Sequence, residues 1–171
     1  MASQVALLRG VNLGKRQVVM AELRAVCEAA GFGDLRTLLA SGNVVLKSAM
    51  KGAKLEAALE AAILEGLTLK TDVFVRTGAE LDAMIAANPF KAWAKTNPTF
   101  LVAYFMRAPL TAAEHAAIEA QSGPEEIKTG RNCLYIKYPH GQGPSKLKLP
   151  KLGTARNWNT VTKLAAAARG D

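Results

Sequence analysis

Apolar positions in the first part of the chain switch between two spacings. Residues 4–8 are short and almost continuously apolar and read as a buried strand, whereas residues 20–30 place Leu23, Val26, Cys27 and Ala30 on one helical face before Gly31. Residues 35–39 and 44–47 are strand-like runs about Ser41-Gly42-Asn43, where Gly and Asn tolerate positive φ, so a hairpin is predicted. Helical spacing returns through Leu55, Leu59, Ala62 and Ile63 over residues 54–64, and residues 72–76 form another short strand. The order βαββαβ is the split-βαβ, ferredoxin-like arrangement.

The pattern then begins again. Thr77 and Glu80 have the spacing of a capping box ahead of a helix through Leu81, Met84 and Ile85, which ends near Asn88-Pro89. Residues 88–98 read as a linker. Residues 99–106 are the longest strand candidate, and Thr111 with Glu114 opens a second capped helix to residue 121. Residues 125–129 and 133–138 flank Gly130-Arg131-Asn132 as a second hairpin, and residues 158–168 form an Ala-rich last helix. The predicted fold class is α+β with two ferredoxin-like halves: residues 1–76 as βαββαβ, 77–98 as connecting helix and linker, and 99–171 as βαββα with a basic C-terminal segment. The matching order of lead strands and hairpins predicts an internal structural duplication.

Composition changes this picture in three ways. Half of the 171 residues are hydrophobic but only 6% are aromatic, so the core rests on aliphatic packing. The two cysteines, Cys27 and Cys133, have neither CxxC spacing nor a disulfide framework, and no apolar run approaches a bilayer-spanning length, which predicts a cytoplasmic protein without a membrane partner. The formal charge of +8 is unevenly placed: the first 126 residues hold 13 basic and 13 acidic side chains, while nine cations against Asp171 follow. That asymmetry favours an anionic partner.

Candidate chemistry concentrates in two segments. Residues 9–16, containing Arg9, Gly10, Asn12, Gly14, Lys15 and Arg16, join a strand to a helix, where backbone N–H groups favour anions. The glycines are one residue too close for a P-loop and Arg16 replaces its Ser or Thr, which excludes a P-loop ATPase. The second segment is Arg156-Asn157-Trp158-Asn159-Thr160, preceded by Lys146: Asn157 or Asn159 caps the helix and Trp158 anchors its first turn, and the segment reads either as an anion site with Arg156 at the helix N-terminus or as a capped terminal helix docked by one tryptophan. Ser41 and Asn43 lie at the first hairpin turn, yet Ser41 has only His115 and His140 as bases, and no triad assembles. Neither histidine nor cysteine has metal-ligand spacing, Glu125-Glu126 point to opposite faces of a strand, and no cofactor motif is present. Phe100, Tyr104, Tyr135 and Tyr138 alternate with aliphatics on strands and are expected in the core rather than on an RNA-stacking surface.

The ordered set Arg9-Gly10, Asn12, Gly14-Lys15, Met20-Ala21-Glu22-Leu23-Arg24, Gly31-Phe32, Arg36-Thr37, Ser41-Gly42-Asn43-Val44 and Arg156-Asn157-Trp158-Asn159-Thr160 resembles the family named domain of unknown function 1697. The resemblance implies a bacterial-type α+β protein with two ferredoxin-like halves, and it brings no established reaction. Leu38 and Leu46 stand where that family commonly carries aromatics, Ala40 where it carries an amide, and residues 146–152 are shorter than its usual connection.

These readings converge on a binding protein for a small anionic ligand, phosphorylated or carboxylated, with nucleotides among the candidates. The expected ligand-binding residues are Arg9, Asn12, Lys15, Ser41, Asn43, Lys146, Arg156, Asn157, Trp158 and Asn159. The alternatives are an enzyme on an anionic substrate with Ser41 or Cys133 as nucleophile, and a nucleic-acid or protein-interaction module using the basic C-terminal third.

Overall fold

A computed structural model describes residues 2–10, 19–38 and 42–170. The fold is mixed α+β, with two four-stranded antiparallel sheets and six α-helices among the described residues. The chain divides into two units, Met1–Asp82 with Lys163–Asp171, and Ala83–Thr162.

In the first unit the elements run β1 (Ser3–Leu8), α1 (Met20–Ala29), β2 (Gly33–Thr37), β3 (Asn43–Lys47), α2 (Gly52–Leu67) and β4 (Val73–Thr77), and the sheet order is β2-β3-β1-β4. Strand alternation puts Ala6, Leu8, Val44, Leu46, Val73 and Val75 on one face. There they meet Leu23 and Cys27 of α1 and Leu55, Leu59 and Ile63 of α2, so burial of aliphatic faces holds the layer together. Helix α1 stops where Gly31 adopts a φ of 95°, a left-handed conformation that a Cβ disfavours. The edge strand β4 has outward backbone groups that need partners. Val75 N donates to Glu56 Oε2 at 3.0 Å, and Arg76 Nη1 donates to Val75 O at 2.9 Å.

After α3 (Gly78–Ala86), whose Thr77–Glu80 capping box forms as predicted, come α4 (Lys91–Thr96) and a 3-10 turn at Pro98–Phe100. The expected linker thus contains a helix. The second unit continues with β5 (Leu101–Phe105), α5 (Ala112–Glu119), β6 (Glu126–Gly130), β7 (Cys133–Lys137), β8 (Thr154–Asn157) and the start of α6 (Trp158–Arg169), in sheet order β6-β7-β5-β8. Strand β8 is an element that apolar periodicity does not announce.

The two sheets share more than strand order. Val5 lies opposite Val45 and Arg76, and Val45 lies opposite Arg36. Correspondingly Ala103 lies opposite Tyr135 and Arg156, and Tyr135 opposite Lys128. Each row therefore runs from a cation through two buried residues to an arginine. Each terminal arginine donates Nη1 to the carbonyl of the residue before it, Val75 or Ala155. The edge carbonyl is satisfied in the same way in both sheets.

One connection differs. Between β3 and β4 the first unit places the 16-residue helix α2, whereas residues 138–153 between β7 and β8 contain no helix.

Candidate functional site

Residues 138–153 form a strap over the sheet face that α5 also covers. Leu147 and Leu149 pack on the cluster of Tyr104, Leu134, Ile136 and Tyr138, while the intervening Lys146 and Lys148 are exposed. Gln121 pins the strap twice, donating Nε2 to Lys148 O at 2.8 Å and accepting from Lys148 N at 2.7 Å. The Tyr104 hydroxyl donates to Pro150 O. An extended strap is thinner than a helix, and a cavity of about 390 Å³ opens between it, the end of α5 and residues 122–125.

Ile118, Ile127 and Leu147 give this cavity an apolar wall. Its polar groups include Glu125, Tyr138, Ser145 and Lys146, and Glu119, Gln121, Ser122 and His140 also lie in the lining. The Ser145 hydroxyl donates to the Glu125 carboxylate and accepts from Leu147 N at 3.2 Å, which ties strap to sheet. Gly123 leaves room for that carboxylate, since a Cβ there would lie 2.5 Å from Glu125 Oε2. Tyr138 is 5% exposed, and burial first, then the Glu125 carboxylate and Tyr104, push its phenol up to about 12. Lys146 is exposed and has no ion-pair partner among the described residues.

The first unit has an open cleft of about 700 Å³ near β2, the end of β3 and the end of α6. Its cations are already engaged. Arg24 pairs with Glu28 at 2.9 Å, Lys47 with Asp34 at 3.3 Å and Arg169 with Asp82 at 2.5 Å, while Arg36 Nη2 donates to Ala167 O at 3.1 Å. Exposed pairs of this kind contribute little stability, but they offset three of the four cations, and Arg36 keeps its charge beside a carbonyl.

Of the residues singled out by sequence, Asn12, Lys15 and Ser41 lie outside the described residues, as does Arg16. Arg9 follows β1 with Nη1 3.5 Å from Asp72 Oδ2, and Asn43 is fully buried at the start of β3, its carbonyl accepting from Leu38 N at 2.9 Å. Both belong to the first unit, and Lys146 and Arg156 through Asn159 to the second. Lys146 lines the cavity. Arg156 does not, because Ala155 takes the cavity-side face of β8 and strand alternation turns Arg156 to the other. There its Nη1 donates to Thr154 Oγ1 at 2.6 Å and Ala155 O at 2.8 Å, and burial lowers the guanidinium to about 10. Asn157 caps α6, its Oδ1 accepting from Thr160 N at 3.0 Å, and Trp158 packs at 6.2 Å between ring centroids on Tyr135. Asn159 is exposed. Cys133, offered as an alternative nucleophile, is 1% exposed, so no substrate reaches it in this conformation.

In the sequence Glu125 and Tyr138 read only as a strand carboxylate and a core aromatic, and Ser145 does not stand out. The signal was present in the alternation of Lys146 and Lys148 with Leu147 and Leu149, which marks an extended strap with one buried face. No group of three or more potential metal ligands is found among the described residues, and no helix there is long and apolar enough to cross a membrane.

The buried acids set an alkaline limit. Burial, then Glu28, raises Cys27 from 9.0 to about 11, and Tyr138 rises from 10.0 to about 12. The unfolded chain therefore loses these protons first, and stability falls as pH rises from 9 toward 12. Arg156 acts with the opposite sign above pH 10, because its folded form sheds a proton before the unfolded one. The urea midpoint should drop between pH 8 and pH 10, and Cys27→Ala should flatten that drop; equal slopes in both proteins would refute the assignment.

The comparisons give the relationship. A solved structure of the conserved bacterial protein SP0830 from Streptococcus pneumoniae matches with a TM-score of 0.79 at 23% identity, covering 99% of each chain. That likeness concerns the fold. No curated protein matches the chain. A family model described as "Protein of unknown function (DUF1697)" matches residues 1–135, most of both units, and the chain belongs to that family.

Proposed function

We propose that this protein binds a small anionic ligand, phosphorylated or carboxylated, in the cavity beneath the strap. Lys146 carries the proposal: it stands at an apolar-walled cavity without an internal counter-ion, whereas the cations of the first-unit cleft are engaged. The volume falls within the range of small-molecule sites, and an apolar wall that also carries polar groups is their usual make-up. In this reading Lys146 pairs with the anion, and Arg156, Asn157 and Trp158 build the sheet edge and helix start that hold the unit together. Binding needs no cofactor, and the protein works in the cytoplasm, where Cys27 and Cys133 stay reduced.

The proposal extends to the origin of the site. Each unit is a ferredoxin-like half, and the two descend from a duplication. Shared strand order and the matching rows ending in Arg76 and Arg156 support this, although the residues show little identity. The second half exchanged the helix between its last two strands for a strap, and the space so released became the ligand site.

The test is a thermal-shift screen of nucleotides, sugar phosphates, organic acids and short oligonucleotides at low and physiological salt. A ligand at 100 times its Kd stabilises by about 2.7 kcal/mol. A small anion should raise Tm at both salt concentrations, and Lys146→Ala should remove most of the shift while leaving the ligand-free Tm unchanged. A shift indifferent to Lys146→Ala would refute the site. Stabilisation by oligonucleotides alone, lost steeply with salt, would favour a nucleic-acid surface instead.

A further inference from the structure

The cavity wall carries an acid as well as a base. Glu125 accepts the Ser145 hydroxyl, and among the described residues that is its hydrogen-bond donor. An ionised carboxylate has about four acceptor positions, so most of its capacity stays open toward the cavity. Tyr138 lines the same space with its side chain almost wholly buried, and its hydroxyl has no hydrogen-bond partner among the described residues. A phenol can both donate and accept. The lining thus sets one ammonium, at Lys146, against acceptors at Glu125 and Tyr138, with Glu119, which faces His115, as a second carboxylate at the end of α5.

A purely anionic ligand meets only half of this arrangement. Its charge is attracted by Lys146 and repelled by Glu125, and in a partly desolvated cavity both effects exceed their values in water. An ammonium group reverses the second contribution and supplies donors to the open carboxylate positions. Resting on the anion-binding reading above, we infer that the ligand is amphoteric, with a carboxylate or phosphate for Lys146 and a primary amine for Glu125 and Tyr138. The class is that of small amino acids and amino phosphates. The cavity of about 390 Å³ has the size for such molecules.

Calorimetric titration of the full chain with matched probes decides this: γ-aminobutyrate against butyrate, and O-phosphoethanolamine against ethyl phosphate. The aminated member of at least one pair should bind about tenfold or more tightly than its amine-free partner, as a charge-assisted hydrogen bond implies. Glu125→Gln should bring that ratio close to one. The amide oxygen of Glu125→Gln still accepts the Ser145 hydroxyl, so an unchanged ligand-free Tm in that variant separates loss of charge from loss of fold. Lys146→Ala should weaken both members alike. Equal binding within each pair, or tighter binding of the amine-free member, with sensitivity to Lys146→Ala would overturn the amphoteric assignment and leave the anion site standing. Binding of neither member, or binding untouched by Lys146→Ala, would overturn both.

Discussion

Replacing Arg156 by Ala should destabilise the protein by about 2–4 kcal/mol, through lost packing and polar groups deprived of their donor. The side chain is 8% exposed and donates to Thr154 Oγ1 and Ala155 O at the edge of the second sheet. Truncation leaves the volume of a long side chain empty and takes a donor from a carbonyl that the ladder does not use. Arg156→Met should cost less, because it fills the space and removes a charge that burial already disfavours, as the lowered guanidinium reflects. Asn159→Ala, at an exposed neighbour, should stay within about 0.5 kcal/mol of the parent. Urea unfolding of the three variants gives the ranking. Full stability in Arg156→Ala together with weakened ligand binding would return that residue to the ligand site.

Gly153→Ala should cost about 1–3 kcal/mol by overpacking. A Cβ at Gly153 would lie 2.4 Å from both Cε2 and Cζ of Tyr104, whose ring is buried and whose hydroxyl holds the strap at Pro150. Neither ring nor strap can yield without moving the other, so this variant should also lose affinity for any ligand of the cavity. Tyr104→Leu removes the atoms that clash. The double variant Gly153→Ala with Tyr104→Leu should therefore be more stable than the sum of the two single effects predicts. Strict additivity would mean that the close approach carries no energy.

Local signals were the legible part of this fold. The capping boxes at Thr77–Glu80 and Thr111–Glu114 act within one helical turn, and both form as read. The hairpin turn at Asn132, with a φ of 55°, is equally local. Strand β8 was not legible for the opposite reason. Its four residues Thr154–Asn157 have no apolar run, and they become a strand only by pairing with β5, about 50 residues earlier in the chain. Without that strand, Arg156 looks like part of a helix N-terminus, which is why a ligand role suggested itself. Helix α4 was hidden in the same way, with Trp93 as the one large apolar residue of Lys91–Thr96.

The candidate site divides similarly. Lys146 could be singled out because charge is visible in sequence. The cavity beside it could not, since it exists because no helix fills the connection from β7 to β8 and because Ser145 reaches Glu125 across 20 positions. Glu125 was considered only as half of a carboxylate dyad with Glu126, and strand alternation excludes that dyad while saying nothing of Ser145 or Tyr138.

The central claim is that the strap cavity, with Lys146, holds the ligand. Its most direct test is amide chemical-shift mapping of the full chain during titration with O-phosphoethanolamine. Perturbations confined to residues 118–127 and 138–147, and lost in Lys146→Ala, are the predicted result. Perturbations centred instead on residues 24–47 or on Arg156 through Asn159, with the strap unmoved, would contradict it.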